Sequence, residues 1–298
     1  MTDLLKKYIK QPKTIDEQVN MLISRGLVVD NKDELKYYLE NISYYHLSIY
    51  FKYFQKNDKF YKGINFSDVL RVYKFDNKLR FLLLELLERV EKSFKCRLAY
   101  ELSIESDSAH WYLDENFFIS TEKHKEIIKI ISCEVAKSSE ISITHYKNTY
   151  NNPSLPPIWN VVEILSFGQC VKLCKSLKRE YRNKIARTYD EDEKFILSWL
   201  HCLSLLRNNC AHHSRLWNKI FNLTPNKRHN KYKSYFFPES NNLLFEYLII
   251  LQIMVGKINP TSSWLDKLKE NLDEFKINIK KMGFPDDWED KFLEILKL

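Results

Sequence analysis

Only 5 of the 298 residues are glycine. Collagen-like, glycine-linker and low-complexity chains need far more of it. Phosphate loops and tight hairpins also depend on glycine, because their backbones take positive φ or approach a ligand closely. No G-x-G-x-x-G, G-x-x-x-x-G-K or G-x-S-x-G occurs, which removes the Rossmann, P-loop and α/β-hydrolase readings. Long apolar runs are missing too. The apolar run near FLLLELLERV is broken by glutamate, well short of the ~20 apolar residues that span a bilayer, so no membrane partner is expected. The cysteines include no C-x-x-C pair. Cys170 and Cys174, with Cys202, Cys210 and His213 further on, lack a standard zinc spacing and read instead as buried free thiols; no metal and no cofactor is expected. The first ten residues, MTDLLKKYIK, hold no signal-peptide core, and a reducing cytoplasm is the expected setting.

Aromatic and aliphatic residues are plentiful. Hydrophobic residues make up 44% of the chain and aromatic residues 14%, enough to build a packed core and too many for a disordered chain. Apolar residues recur at spacings of three and four almost throughout, which predicts an all-α fold. Thr14 and Glu17 form a capping box before a helix that stops at Gly26, and Asn31 with Glu34 opens a second helix towards Asn41. From Ser67 to Ser103 neither glycine nor proline interrupts the pattern, predicting one long helix or two nearly collinear ones. NNPSLPP (Asn151–Pro157) is a loop. Helices follow from Ile158, from Gln169, and from an Asp190 cap to His213. A basic loop, Pro225–Pro238, precedes helices at Asn242–Gly256, Ser262–Lys281 and Asp286–Leu298. No internal repeat is present. The expected organisation is one structural unit, with an N-terminal helical segment over 1–60, a helical core over 61–258 and C-terminal helices over 259–298.

The formal charge is +8, from 47 basic against 39 acidic residues. Such an excess suits a polyanion such as nucleic acid, although lysine, asparagine, isoleucine and tyrosine enrichment also follows from A/T-rich coding. Local clusters are more informative. In EDEKFILSWLHCLSLLRNNCAHH the apolar stripe through Ile196, Leu200 and Leu203 runs into Arg207, a charge where the core face was expected. Arg207, Asn208 and His212 read R-N-x-x-x-H. Asn208 and His212 are i,i+4 neighbours, so the amide is placed to orient the imidazole. A histidine can take the proton of a ribose 2′-hydroxyl or give one to the leaving 5′-oxygen, and an arginine can stabilise charge building on phosphorus. DNA lacks that hydroxyl, so the pair predicts RNA selectivity. The bare spacing arises by chance on the order of once in a chain of this composition, and both residues could instead pair with carboxylates at a helix C-terminus.

Two further clusters accompany the motif. Between Lys172 and Arg187 there are seven basic residues against the single Glu180; Lys172, Lys175, Arg179 and Arg182 fall on one predicted helical stripe, either an RNA-binding face or a solvated one. The loop NKRHNKYKSYFF interleaves Lys227, Arg228 and Lys231 with Tyr232, Tyr235 and Phe236. There, basic groups could follow phosphates while rings stack on bases, unless the rings return to the core.

The string RNNCAHHSRLWN resembles the signature of Abi-like proteins of the AbiD/AbiF type, abortive-infection proteins of the HEPN superfamily. KTIDEQVNMLISRGL, YLENISYYHLSIYFKYF, LLELLERVEKSFKCRLAYELS, PPIWNVVEILSFGQCVKLCKSL and SWLHCLSLLRNNCAHHSRLWN occur in that family's order. The resemblance implies an all-α HEPN-type bundle and metal-independent endoribonuclease activity in phage defence or a toxin–antitoxin system. It assigns Arg207 and His212 as the catalytic pair and Asn208 as the polar residue beside them. It further implies a homodimer with a composite site and restraint by a structured noncoding RNA. His46 stands where that family is expected to carry arginine. A non-catalytic RNA-binding module, or a dimerisation domain that senses a phage component, are the alternative readings.

Overall fold

The computed structural model describes residues 11–237 and 240–297; the expectations placed on MTDLLKKYIK, Pro238 and Leu298 lie outside them. The described residues form thirteen α-helices and one two-stranded antiparallel hairpin, β1 (Gln55–Lys56) with β2 (Lys59–Phe60). The fold is all-α. Contacts divide the chain into two compact units. One holds the described residues up to Lys78 with Asp273–Ile277, and the other holds Leu79–Leu272 with the described residues from Asn278 onward.

The smaller unit contains α1 (Ile15–Ser24), α2 (Lys32–Ile42), α3 (Tyr44–Phe51) and the first turns of α4 (Phe66–Ser106). The Thr14–Glu17 capping box is formed, with the Glu17 carboxylate accepting from the Thr14 backbone at 2.7 Å. Asn31 caps α2 by accepting from the backbone N–H groups of Asp33 and Glu34. Gly26 takes φ +96°, so the chain turns sharply there and Arg25 receives the Phe60 N–H of the hairpin at 2.8 Å. Leu22, Leu35, Leu47, Phe51 and Val69 are buried, and Tyr50 donates to the buried Asp76 carboxylate at 2.8 Å. His46 lies edge-on to Tyr73, 6.2 Å between ring centroids.

The long glycine-free stretch is a single helix of 41 residues, α4. The larger unit takes its remainder together with α5 (Thr121–Lys137), α6 (Ile141–Thr149), α7 (Ile158–Ile164), α8 (Phe167–Ser176), α9 (Arg179–Arg187), α10 (Glu193–Ala211), α11 (Leu244–Ile258), α12 (Trp264–Phe275, whose last residues count with the smaller unit) and α13 (Trp288–Leu296). α10 is the centre, packed against α8, α9 and α11. α11 is buried through Val255, which is why that stretch is apolar except for Glu246 and Gln252. Its two buried polar side chains are satisfied. Gln252 donates to the Phe292 carbonyl at 3.1 Å and accepts from Trp264 Nε1 at 2.7 Å, and Glu246 pairs with Lys227.

Three expected helix bounds are corrected. The basic stripe from Lys172 to Arg182 is not one helix. Leu177 is extended and buried, and the backbone around it bonds the segment after α4, with Lys178 N donating to Phe117 O at 2.8 Å and Ile119 N to Ser176 O at 3.0 Å. Asp190 does not cap α10; it has φ +52° in the turn after α9, and Asp192 is the N-cap. α12 stops at Phe275 rather than Lys281, because Trp264, Leu268, Leu272 and Phe275 complete its buried face and Lys276 then takes φ +48°.

Candidate active site

Most of α10 is core. Ten of its 19 residues are buried, among them Phe195, Trp199, Leu200, Leu203 and Leu206. Arg207 comes where that apolar face reaches α4, and the helix there answers it with a carboxylate. Arg207 Nε lies 3.3 Å from Glu91 Oε2, and the other Glu91 oxygen lies 3.0 Å from Lys95 Nζ. Glu91 is only 8% exposed, so two cations share one nearly buried carboxylate. The arrangement fixes the guanidinium by its Nε edge while its side chain keeps 36% exposure. Three of its five N–H groups remain for another acceptor once Nε and one Nη1 hydrogen are used.

That Nη1 hydrogen goes to Asn208 Oδ1 at 3.4 Å. The expected contact from Asn208 to the His212 imidazole is not formed; the amide steadies Arg207 instead. His212 is the C-cap of α10, at φ −91° and ψ 17°, with its backbone N–H on the Asn208 carbonyl at 2.9 Å. Its imidazole is exposed and has no hydrogen bond, ion pair or ring contact among the described residues. His213 neither packs nor caps with its side chain; it is exposed and takes φ +55°, which turns the chain out of the helix. The following loop is anchored. Lys219 bonds Asn209, Leu216 and Trp217 are buried, and the Trp217 indole donates to the Asn278 carbonyl at 3.4 Å. A rigid frame therefore presents one engaged guanidinium and one unengaged imidazole about a turn and a half apart on a single helix.

The other basic residues are more heavily engaged than their spacing suggests. Lys172 reaches Glu126 at 2.5 Å, and together with Lys123 it holds that carboxyl down at about 2. Arg179 and Arg182 both face Glu193, at 3.7 Å and 3.4 Å. Lys175 contacts His201 Nδ1 at 2.8 Å. Lys227 turns inward to Glu246, which is fully buried. Arg228 is exposed with no carboxylate partner among the described residues, and Lys231 is exposed beside Tyr232, its ammonium 5.4 Å from the ring centroid. Of the three expected stacking rings Tyr232 and Tyr235 are buried and Phe236 is half-buried, and His229 bonds Glu191 at 2.6 Å while packing on Phe195. That loop is docked on the start of α10.

Cys170, Cys174, Cys202 and Cys210 are buried free thiols, whereas Cys96 and Cys133 are exposed. Burial pushes the thiols of Cys170, Cys174 and Cys202 up to about 12, so they are protonated at neutral pH. No group of three potential metal ligands converges among the described residues, and no helix there is long and apolar enough to cross a membrane. Sequence reasoning missed Glu91, Lys95 and His201. The i,i+4 pairing of Glu91 with Lys95 is visible in the sequence, but only the crossing of α4 and α10 ties it to Arg207.

A family model described as Abi-like protein matches residues 37–218. The chain belongs to the Abi-like family. The match ends at the last residue of RNNCAHHSRLWN, so all of the α10 motif lies within it, as do four of the five segments that carry the resemblance; KTIDEQVNMLISRGL lies before it. Membership in the Abi-like family suggests abortive-infection defence. No curated protein and no solved structure matches this Abi-like chain significantly.

Proposed function

We propose that this Abi-like protein is a metal-independent endoribonuclease of the HEPN type, acting in the cytoplasm in abortive infection or as the toxin of a toxin–antitoxin pair. The observation that carries the reading is the exposed, unengaged His212 imidazole at the end of a buried helix, five residues after an arginine held by a nearly buried carboxylate. A purely structural pair would have both members satisfied. Arg207 meets that description and His212 does not.

The chemistry uses the substrate's own nucleophile. The ribose O2′ attacks the adjacent phosphorus and the P–O5′ bond breaks, leaving a 2′,3′-cyclic phosphate and a 5′-hydroxyl. One proton leaves O2′ and one reaches O5′. His212 serves one of these transfers, and an imidazole can act as either base or acid in such chemistry. Arg207 directs its remaining N–H groups at the phosphoryl oxygens as charge accumulates there, while Glu91 and Asn208 position it. One histidine supplies one proton transfer, so a second copy of the chain related by a two-fold axis supplies the other. Restraint by a structured noncoding RNA belongs to the same reading; Lys178, Arg187 and Arg228 are exposed cations without a carboxylate partner among the described residues.

The test is cleavage of end-labelled RNA by the purified full-length protein, with and without EDTA. Arg207→Ala and His212→Ala should each abolish cleavage, and EDTA should leave the wild type unaffected. Thermal midpoints should stay near wild type for His212→Ala and fall slightly for Arg207→Ala, where Glu91 loses one of two partners. Cleavage at the wild-type rate by either variant would overturn the assignment. Sequencing RNA that copurifies with the protein identifies any restraining RNA.

A further inference from the structure

Although α10 is largely buried, one strip of it is not covered. Lys194, Ser198, His201, Leu205, Asn208 and His212 are exposed or half-buried, and their alternating spacings of four and three keep them on one face. His201 and His212 are 11 positions apart, which places them about 20° apart around the axis and about 16 Å apart along it. The strip leads from the candidate active site to the contact between His201 and Lys175 of α8.

That contact joins two groups that both carry positive charge when protonated. Lys175 Nζ lies 2.8 Å from His201 Nδ1. An ammonium can only donate, so Nδ1 accepts and the imidazole keeps its proton on Nε2. No carboxylate answers either group, whereas Lys172 has Glu126, and Arg179 and Arg182 share Glu193. Burial holds both groups below their ordinary pKa values, and for His201 the neighbouring ammonium adds to the effect. The other titratable groups facing the pair are the thiols of Cys174 and Cys202, protonated and uncharged, and Arg182, whose Nη1 donates to the Lys175 carbonyl at 3.4 Å and whose charge Glu193 balances. A phosphodiester oxygen matches this pair. Inserted between the two, it can replace Nδ1 as the acceptor of the ammonium and accept Nδ1–H once the imidazole is protonated, a protonation its charge favours.

We propose that Lys175 and His201 form a second phosphate subsite, which holds a non-scissile phosphodiester of the RNA strand whose reacting phosphate lies at Arg207 and His212. The strand follows the exposed strip of α10 between the two. This inference rests on the nuclease reading for its substrate, and it adds His201 and the direction of the strand to that reading.

The experiment uses the full-length protein in two forms. With wild type, KM should fall as the RNA lengthens from a dinucleotide to an oligonucleotide that spans the strip. Lys175→Ala and His201→Gln should lose that gain, about tenfold in KM on the longer RNA. With His212→Ala protein, isotope-labelled histidine and a 2′-O-methyl oligonucleotide, NMR should show the His201 titration midpoint rising when the oligonucleotide binds, at phosphate concentrations where inorganic phosphate leaves it unmoved. An equal response to inorganic phosphate would overturn the assignment to an RNA strand. An unmoved midpoint with RNA bound, or no RNA binding at any salt, overturns the subsite. A wild type that binds RNA, raises the His201 midpoint and cleaves nothing would sink the nuclease reading alone.

Discussion

Lys227 shows how far a residue's role depends on where its side chain ends. It lies in a basic loop, where its charge suits an RNA phosphate, yet its ammonium reaches Asn241 and the fully buried Glu246. Burial raises the Glu246 pKa, while Lys227 and the Asn242 N–H pull it back. Lys227→Ala leaves the carboxylate buried without its counterion, which should cost about 3 kcal/mol or more at neutral pH. The sign of the pH dependence follows from linkage. A carboxyl whose folded pKa is raised contributes stability below its unfolded pKa, and that contribution is lost as pH rises through the folded value. Removing Lys227 raises the folded value further, so the deficit should shrink as pH falls into the ordinary carboxylate range. Urea unfolding of variant and wild type at acid and neutral pH measures this; a deficit independent of pH would mean that Lys227 acts by packing alone.

At the scale of the element, α10 combines a core helix with a site, and its two ends serve different purposes. The C-terminal end presents His212, whereas Glu193 in the first turn binds Arg179 and Arg182 of α9. An acidic residue in that turn also suits the helix dipole. Glu193 thus decides whether the two arginines are scaffold or surface. Glu193→Gln should lower stability by roughly 1 kcal/mol and release both guanidinium groups, strengthening RNA binding and steepening the slope of log K against log salt by about 0.7 to 0.9 per phosphate newly contacted. Fluorescence anisotropy across a salt series reads the slope. If it does not change, the arginines serve the joint between α9 and α10 and have no part in RNA binding.

At the scale of the molecule, the count of catalytic groups makes the assembly testable. One chain brings one Arg207 and one His212, and cyclising cleavage calls for a base, an acid and charge stabilisation at one phosphate. If the ends of two α10 helices meet at a two-fold axis, light scattering should give about twice the chain mass of 35.9 kDa, and co-expressed Arg207→Ala and His212→Ala chains should regain partial activity as heterodimers. A monomer at concentrations where RNA is cleaved, with and without bound RNA, would show that His212 works with partners from its own chain.

Local sequence pattern was enough for the all-α class, the helical course of the stretch that became α4, the Thr14–Glu17 capping box and the position of R-N-x-x-x-H near the end of α10, because those features depend on residues within a few positions of one another. The break at Leu177 was not legible: both sides keep helical spacing, and the competing backbone partners come from Phe117 to Ile119, some sixty positions earlier. The fate of each charge was hidden for the same reason. Arg207 meets Glu91 and Lys175 meets His201 only because separate helices pack side by side, and Lys227 meets Glu246 because its loop folds back on α11. A local sequence pattern can place a side chain on a helical face; which cations are neutralised and which imidazole stays open depends on what the tertiary packing brings to that face.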